Sequence, residues 1–257
     1  MTKLNYRTRR IISLSIILTL VASWLIINPG SYEQEVVEPS NTAQDAEQLE
    51  PLGAVSETAA APDSEETQTL AVTILEKLEI KGRAPKTGYD RAEQFYKSWP
   101  SVNGCSLRQV IIKRELGDTA TLADDGCTVT AGSFIEPYTG SQMTFYQKSD
   151  FSQKIQIDHI VALSDAWQKG AQQKAKDERY ALATDPLNLI AVDSAANKQK
   201  SDGDAATWLP SNKAFRCQYV ARQVSVKYKY GLWVTQAEHD AIANVLKNCP
   251  KEPAVGI

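Results

Sequence analysis

Histidine and cysteine are scarce in this 257-residue chain, with two of the first and four of the second. The cysteines, Cys105, Cys127, Cys217 and Cys249, contain no Cys-x-x-Cys spacing, which argues against a structural zinc site. No internal repeat is present, so repeat architectures drop out. Charge is absent from one stretch and one-signed in two others. Residues 1–10 carry Lys3, Arg7, Arg9 and Arg10 without an acid, residues 11–27 carry no charge, and residues 31–69 carry ten acids without a Lys or Arg.

The first two of these stretches form a unit. A basic start followed by an uncharged apolar run reads as a secretory signal or an N-terminal membrane anchor over residues 1–30. The run is short for a spanning helix, which needs about 17–25 residues, but sufficient. An uncleaved anchor is favoured, because cleavage near Val21-Ala22-Ser23 would leave an apolar new terminus. Basic residues before the run place the N-terminus in the cytoplasm and the body outside. In either case the protein is expected to be exported, membrane-anchored and facing outward, or secreted after cleavage. Residues 31–69 are rich in Glu, Ala, Ser, Thr and Pro, and are expected to form a disordered acidic linker. Beyond them, residues 70–257 carry 24 Lys and Arg against 21 Asp and Glu, a net of +3 that the whole-chain −3 conceals. That balance permits nucleic-acid binding without requiring it. In an exported chain an even cysteine count favours disulfides, and the pairs Cys105–Cys127 and Cys217–Cys249 each close a local loop.

Hydrophobic patterning divides residues 70–257 into short elements. Helices are expected over 70–78, 161–172, 176–182, 213–228 and 235–247, the last opening on a Thr235-x-x-Glu238 capping box. Residues 108–116 fit helix or strand, with helix favoured. Strands are expected at 127–130, 133–135 and 142–146, with a turn at Tyr138-Thr139-Gly140. Residues 154–160 alternate, which puts Asp158 and His159 at a strand end. Asp193 or Ser194 can cap a helix that carries Asn197 and Lys200. Asp124-Asp125-Gly126 reads as a turn, and His239 as a surface residue.

One ordered set carries chemistry. Asp158 can give a hard oxygen ligand and His159 can deprotonate water, since a neutral imidazole titrates near 6.5. Asn197 offers a second neutral oxygen, which suits Mg²⁺ or Mn²⁺. Lys200 is a candidate phosphate contact, and Asn188 can fix the orientation of His159. Neighbouring strand residues point to opposite faces, so a turn or bulge is expected at Asp158 and His159, letting one bind metal and the other reach water. Arg108, Arg179 and the Lys227-Tyr228-Lys229-Tyr230 run are weaker candidates for nucleic-acid contact, equally explained by salt bridges and packing.

The segments 157–163, 185–189, 196–202 and 208–210 together resemble the His-Asn-His (HNH) endonucleases, most closely the branch related to the C-terminal nuclease domain of GmrSD-type restriction systems. Tyr89-Asp90-Arg91, Cys105-Ser106-Leu107-Arg108 and Tyr138-Thr139-Gly140 resemble its exported form. The resemblance implies an α+β fold with a ββα-metal (His-Me finger) nuclease core, flanking helices and short strands, over a domain at 70–257. It further implies His159 as general base, Asp158 and Asn197 as ligands of a divalent metal, and Asn188 as the orienting residue. The third motif position holds Asn197 where many relatives hold His, and the zinc-binding cysteines of many relatives are missing. The expected substrate is nucleic acid, DNA foremost. The membrane is a partner through the N-terminal anchor if it is retained, and no protein partner is predicted. An exported binding module without catalysis, or a different metal hydrolase, stands as the alternative.

Overall fold

The computed structural model describes residues 69–256, all of them within a unit spanning Asp63–Ile257. The expected anchor and nearly all of the expected linker lie outside the described residues. Two short helices, α1 (Ala71–Leu75) and α2 (Arg91–Gln94), precede a small hairpin of β1 (Ser101–Val102) and β2 (Cys105–Ser106). Helix α3 (Leu107–Leu116) follows, then a three-stranded antiparallel sheet of β3 (Thr121–Leu122), β4 (Val129–Ile135) and β5 (Gln142–Phe145). Helix α4 (Lys148–Lys154) leads into β6 (Ile155–His159), and α5 (Leu163–Gln168) and α6 (Lys176–Thr184) separate β6 from its partner β7 (Leu189–Asp193). Helices α7 (Ser194–Lys200), α8 (Arg216–Lys229) and α9 (Gln236–Leu246) complete a mixed α+β domain. Among the described residues no helix is long and apolar enough to cross a membrane.

The β6–β7 pair is the centre of the molecule. It runs antiparallel and in unbroken register from Ile155↔Asp193 to His159↔Leu189. Because side chains alternate along a strand, its two faces enter different cores. Ile155, Ile157, Leu189 and Ala191 pack with Leu107, Ile111, Ile112 and Leu116 of α3. Ile190 and Val192 pack with Tyr219, Val220 and Val224 of α8. A third cluster joins Leu163, Trp167 and Leu182, from the segment between the two strands, with Phe95.

Several expected elements are altered, each for a local reason. The single helix expected over 161–172 shrinks to α5, because Ala162 is extended and Gly170 takes the left-handed region at φ 119°. The two strands expected at 127–130 and 133–135 are one continuous β4, and α4 occupies a stretch for which no element was expected. Half of the capping box forms: Thr235 Oγ1 accepts from the Glu238 amide at 3.2 Å, but the Glu238 carboxylate turns inward to Lys169. Both expected disulfides are present, Cys105–Cys127 with Cα atoms 5.2 Å apart and Cys217–Cys249 with Cα atoms 6.3 Å apart. Each crosslink is worth about 2–4 kcal/mol through restriction of the unfolded chain. The ends of the described chain meet where Leu70 pairs with Pro253.

Glu238 belongs to a buried ionic network. Lys169 Nζ lies 2.6 Å from Asp165, 2.7 Å from Asp204 and 2.6 Å from Glu238. Lys227 adds contacts to Asp165 at 3.2 Å and Glu238 at 2.9 Å, and Arg83 adds contacts to Asp165 at 2.9 Å and Asp204 at 2.8 Å. Three cations thus neutralise three carboxylates inside α5, α8, α9 and the turn at Asp204. Burial opposes ionisation of Asp204, but the Lys169 ammonium and the Arg83 guanidinium hold its carboxyl down to about 2. Its folded-state value lies below the unfolded one, so the stability it contributes is present above about pH 4 and is lost as pH falls toward 2. Removing one cation strands buried carboxylates, so Lys169→Met should cost about 3–5 kcal/mol in denaturant unfolding. A loss below about 1 kcal/mol would show that solvent, not Lys169, compensates these charges.

Candidate active site

Helix α7 begins where β7 ends, with the Asp193 carboxylate accepting from the amides of Ala195 and Ala196. Asn197 and Lys200 are three residues apart and share one helical face. Gln156 and Asp158 are two apart on β6 and share one strand face. These two spacings meet. Asn197 Nδ2 donates to Gln156 Oε1 at 2.8 Å, and Lys200 Nζ pairs with Asp158 Oδ2 at 2.8 Å. The Tyr138 hydroxyl, from the turn after β4, donates to the same Asp158 oxygen at 2.5 Å. Burial and the negative charge of Asp158 push the Tyr138 phenol far above its ordinary value, so it remains a donor.

His159 ends β6 and is nearly enclosed. Its ring lies flat against Trp99, with centroids 6.3 Å apart and planes at 11°, and Tyr96 flanks it at 6.2 Å. Burial pushes the imidazole down to about 4, against a smaller opposing effect of its bond to Ala183. The neutral ring therefore persists through the physiological range. Its Nε2 lies 2.9 Å from the Ala183 carbonyl, which can only accept, so Nε2 carries the proton and Nδ1 the lone pair.

Asp158, His159 and Asn197 line one cleft of about 350 Å³, together with Lys86, Tyr89, Arg91, Ser164 and Asp202. No bulge is needed to bring Asp158 and His159 there: the register is regular, and the cleft lies across the strand's end. Two candidates make other contacts than those expected. Lys200 was expected at phosphate, but its side chain is fully enclosed and spends its donors on Asp158 and the His159 carbonyl, at 2.8 Å each. Asn188 was expected at the His159 ring or backbone, but it holds the next residues instead. Its Oδ1 accepts from the Val161 amide at 2.8 Å, its Nδ2 donates to the Leu182 carbonyl at 3.2 Å, and its own carbonyl accepts from Ile160. It thereby ties the chain beyond His159 to the residue beside Ala183, the ring's acceptor.

Tyr138, Lys86, Arg91, Ser164 and Asp202 were not assigned roles from sequence; Tyr138, Lys86 and Arg91 reach the site from distant parts of the chain, whereas Ser164 and Asp202 lie five residues beyond His159 and Asn197. Arg108 and Arg179 instead bond backbone carbonyls, Arg108 those of Phe151 and Ile155, Arg179 those of Gln94 and Lys174. Lys227 is buried in the ionic network, and Lys229 and Tyr230 both bond Asp185, so that run is packing rather than a binding strip. Asp125 closes its turn by accepting from Cys127 and Thr128, and His239 is a surface residue beside Asp240.

The donor set fits a hard divalent cation. Asp158 commits Oδ2 to Lys200 and Tyr138, leaving Oδ1, and Asn197 commits its nitrogen to Gln156, leaving its amide oxygen. Two oxygen ligands plus water suit Mg²⁺ or Mn²⁺ better than a closed zinc site. A second cluster, Cys217, Cys249 and Glu252, is not a candidate, because the two sulfurs are bonded to each other.

An enclosed neutral imidazole, a carboxylate and an amide thus share one cleft. The chain belongs to the family of the C-terminal domain of GmrSD restriction endonucleases, whose model matches residues 108–245. That membership gives the domain a nuclease-related function. A relative from Arthroderma benhamiae, described as a secreted protein, is 32% identical over 191 residues, covering 73% of this chain and 89% of its own length. No solved structure matches the chain.

The depressed His159 value yields a direct check. The unfolded chain takes up this proton first, near pH 6.5, so stability falls as pH drops from about 6.5 toward 4. NMR titration of the folded protein should show the His159 ring unchanged from pH 7 to 5, with a midpoint near 4. A midpoint near 6.5 would mean that Trp99 and Tyr96 do not seal the ring.

Proposed function

We propose that this chain is an exported HNH endonuclease with a ββα-metal core, a divalent-cation-dependent phosphodiesterase that cuts DNA with little sequence preference. The observation that carries the proposal is the convergence of Asp158, His159 and Asn197 on one cleft, from a strand, its end and the helix that follows its partner strand. Membership in a restriction-endonuclease domain family supports the same reading. Export is supported by the basic and apolar start of the sequence, by two disulfides, and by the secreted relative. On this reading residues 1–30 are the signal or anchor, 31–69 a linker, and 70–257 the nuclease domain.

Each residue's part follows from its contacts. His159, with Nε2–H held by Ala183, takes the proton of the attacking water on Nδ1. Asn188 positions the ring by fixing the backbone on either side of it. Trp99 and Tyr96 limit the access of bulk water to the ring. Asp158 and Asn197 would hold Mg²⁺ or Mn²⁺, which when bound supplies charge neutralisation at the phosphate and the leaving oxygen. Lys200 and Tyr138 hold one Asp158 oxygen, so its free oxygen keeps one direction.

The test is nicking of a supercoiled plasmid by the purified protein with Mg²⁺, Mn²⁺ or EDTA. Cleavage should require the cation, and His159→Ala should lower its rate by about 10²–10⁴. Asn197→Ala should raise the cation concentration needed for half-maximal rate. Cleavage that survives EDTA, or that His159→Ala leaves intact, would contradict the proposal.

A further inference from the structure

With Lys200 enclosed, the cleft must find its phosphate contact elsewhere. Two cations line it from outside β6 and α7, and both come from the segment around α2: Lys86 and Arg91. Lys86 Nζ pairs across the cleft with Asp202 Oδ2 at 3.1 Å, and both side chains remain about half exposed, at 52% and 47%. Asp202 is held in place from its own side by the Ser164 hydroxyl at 3.0 Å, and it follows Ser201, which sits at φ 52°. Arg91 is exposed, stacks its guanidinium on Tyr96 at 5.3 Å and donates to the Tyr96 hydroxyl at 2.8 Å. Among the described residues no carboxylate forms an ion pair with Arg91. Its neighbour Asp90 is occupied in capping α2, accepting from the Glu93 amide at 2.9 Å.

The two cations therefore stand in different conditions. Arg91 is unneutralised and already ordered by an aromatic face, so little side-chain freedom is lost when it meets an anion. Its planar fork fits two oxygens of a phosphodiester. Lys86 is neutralised by an exposed carboxylate, a weak and exchangeable pairing. Both side chains are exposed and neither belongs to the buried network; their contacts, with Tyr96 for Arg91 and with Asp202 and Tyr89 for Lys86, leave both cations at the cleft.

We propose that Arg91 and Lys86 grip the sugar-phosphate backbone of the substrate strand, Arg91 as the standing contact and Lys86 as a cation that exchanges Asp202 for an incoming phosphate. This rests on the nuclease reading of the cleft and assigns its substrate-binding wall. Asp202 then opposes binding in the empty cleft, and its neutralisation strengthens binding. A purely structural role for Asp202 has no such consequence.

The experiment is fluorescence anisotropy of a labelled oligo(dT) strand, and of a labelled oligo(rU) strand, on the full-length protein in EDTA across a KCl series. Binding of either strand with a negative salt slope is expected, and the stronger one identifies the preferred sugar. Arg91→Ala should weaken affinity roughly ten-fold at low salt and flatten the log K against log[salt] slope by about 0.7, the value of one single-strand phosphate contact. Arg91→Lys should keep the slope. Lys86→Ala should flatten it as well, and Asp202→Asn should raise affinity. Tyr146→Ala, on a side chain 83% exposed and absent from the cleft lining, should change nothing. Wild-type affinity and slope in both Arg91→Ala and Lys86→Ala would overturn the proposal, as would weakened binding in Asp202→Asn. Plasmid cleavage with binding indifferent to Arg91 and Lys86 would remove this wall and keep the nuclease. Binding that depends on Arg91, with no cation-dependent cleavage of any strand, would do the reverse.

Discussion

The antiparallel register of β6 with β7 is the constraint on which the site depends. It fixes which side chains of Ile155–His159 face α8 and which face α3. With Ile155 and Ile157 committed to one core, Gln156 and Asp158 must face the other way, toward α7. Slipping the register by one residue would bury Gln156 and Asp158 against α3 and turn two isoleucines into the cleft. The apolar surface on both faces therefore protects the chemistry of the site, although none of those apolar residues takes part in it. The Asp193 cap starts α7 directly after the strand, so the helix has no slack in which to rotate Asn197 and Lys200 away from Gln156 and Asp158.

Charge is then placed on this frame at a cost that specific partners offset. Asp158 is almost fully enclosed, and the Lys200 ammonium and the Tyr138 hydroxyl both contact its Oδ2. The buried network of Lys169, Lys227, Asp165, Asp204 and Glu238, with the part-exposed Arg83 at its edge, adjoins the cleft residues in sequence. Asp165 follows Ser164, and Asp204 stands two residues after Asp202, while Ser164 and Asp202 line the cleft. The substrate wall is built differently, from exposed cations resting on tyrosines, with Lys86 over Tyr89 at 5.3 Å and Arg91 over Tyr96 at 5.3 Å.

Much of this was legible in the sequence because it is local. The alternation around Ile155–His159, the Asp193 cap and the i, i+3 spacing of Asn197 and Lys200 are properties of a few consecutive residues, and the order Asp158, His159, Asn188, Asn197 carried the family resemblance. The disulfides followed from loop closure. What could not be read was partnership across distance. Whether Lys200 faces phosphate or Asp158 depends on the depth of α7 against β6, which no spacing encodes. Arg91 and Lys86 reach the cleft only because α2 packs where Phe95, Tyr89 and Trp167 meet edge to face. Lys227–Tyr230 shows the same limit from the other side. Its basic and aromatic interleaving suggested a binding strip, yet burial turned Lys227 into a partner for Glu238.

Asp158 and Asn197 are proposed to hold one hard cation beside His159. Anomalous diffraction from crystals grown with Mn²⁺ addresses it without reference to any substrate. The account predicts one strong peak within oxygen-ligand distance of Asp158 Oδ1 and the Asn197 amide oxygen, lost in Asn197→Ala crystals. No peak in that cleft at saturating Mn²⁺, or a peak elsewhere in the domain with the cleft empty, would contradict it.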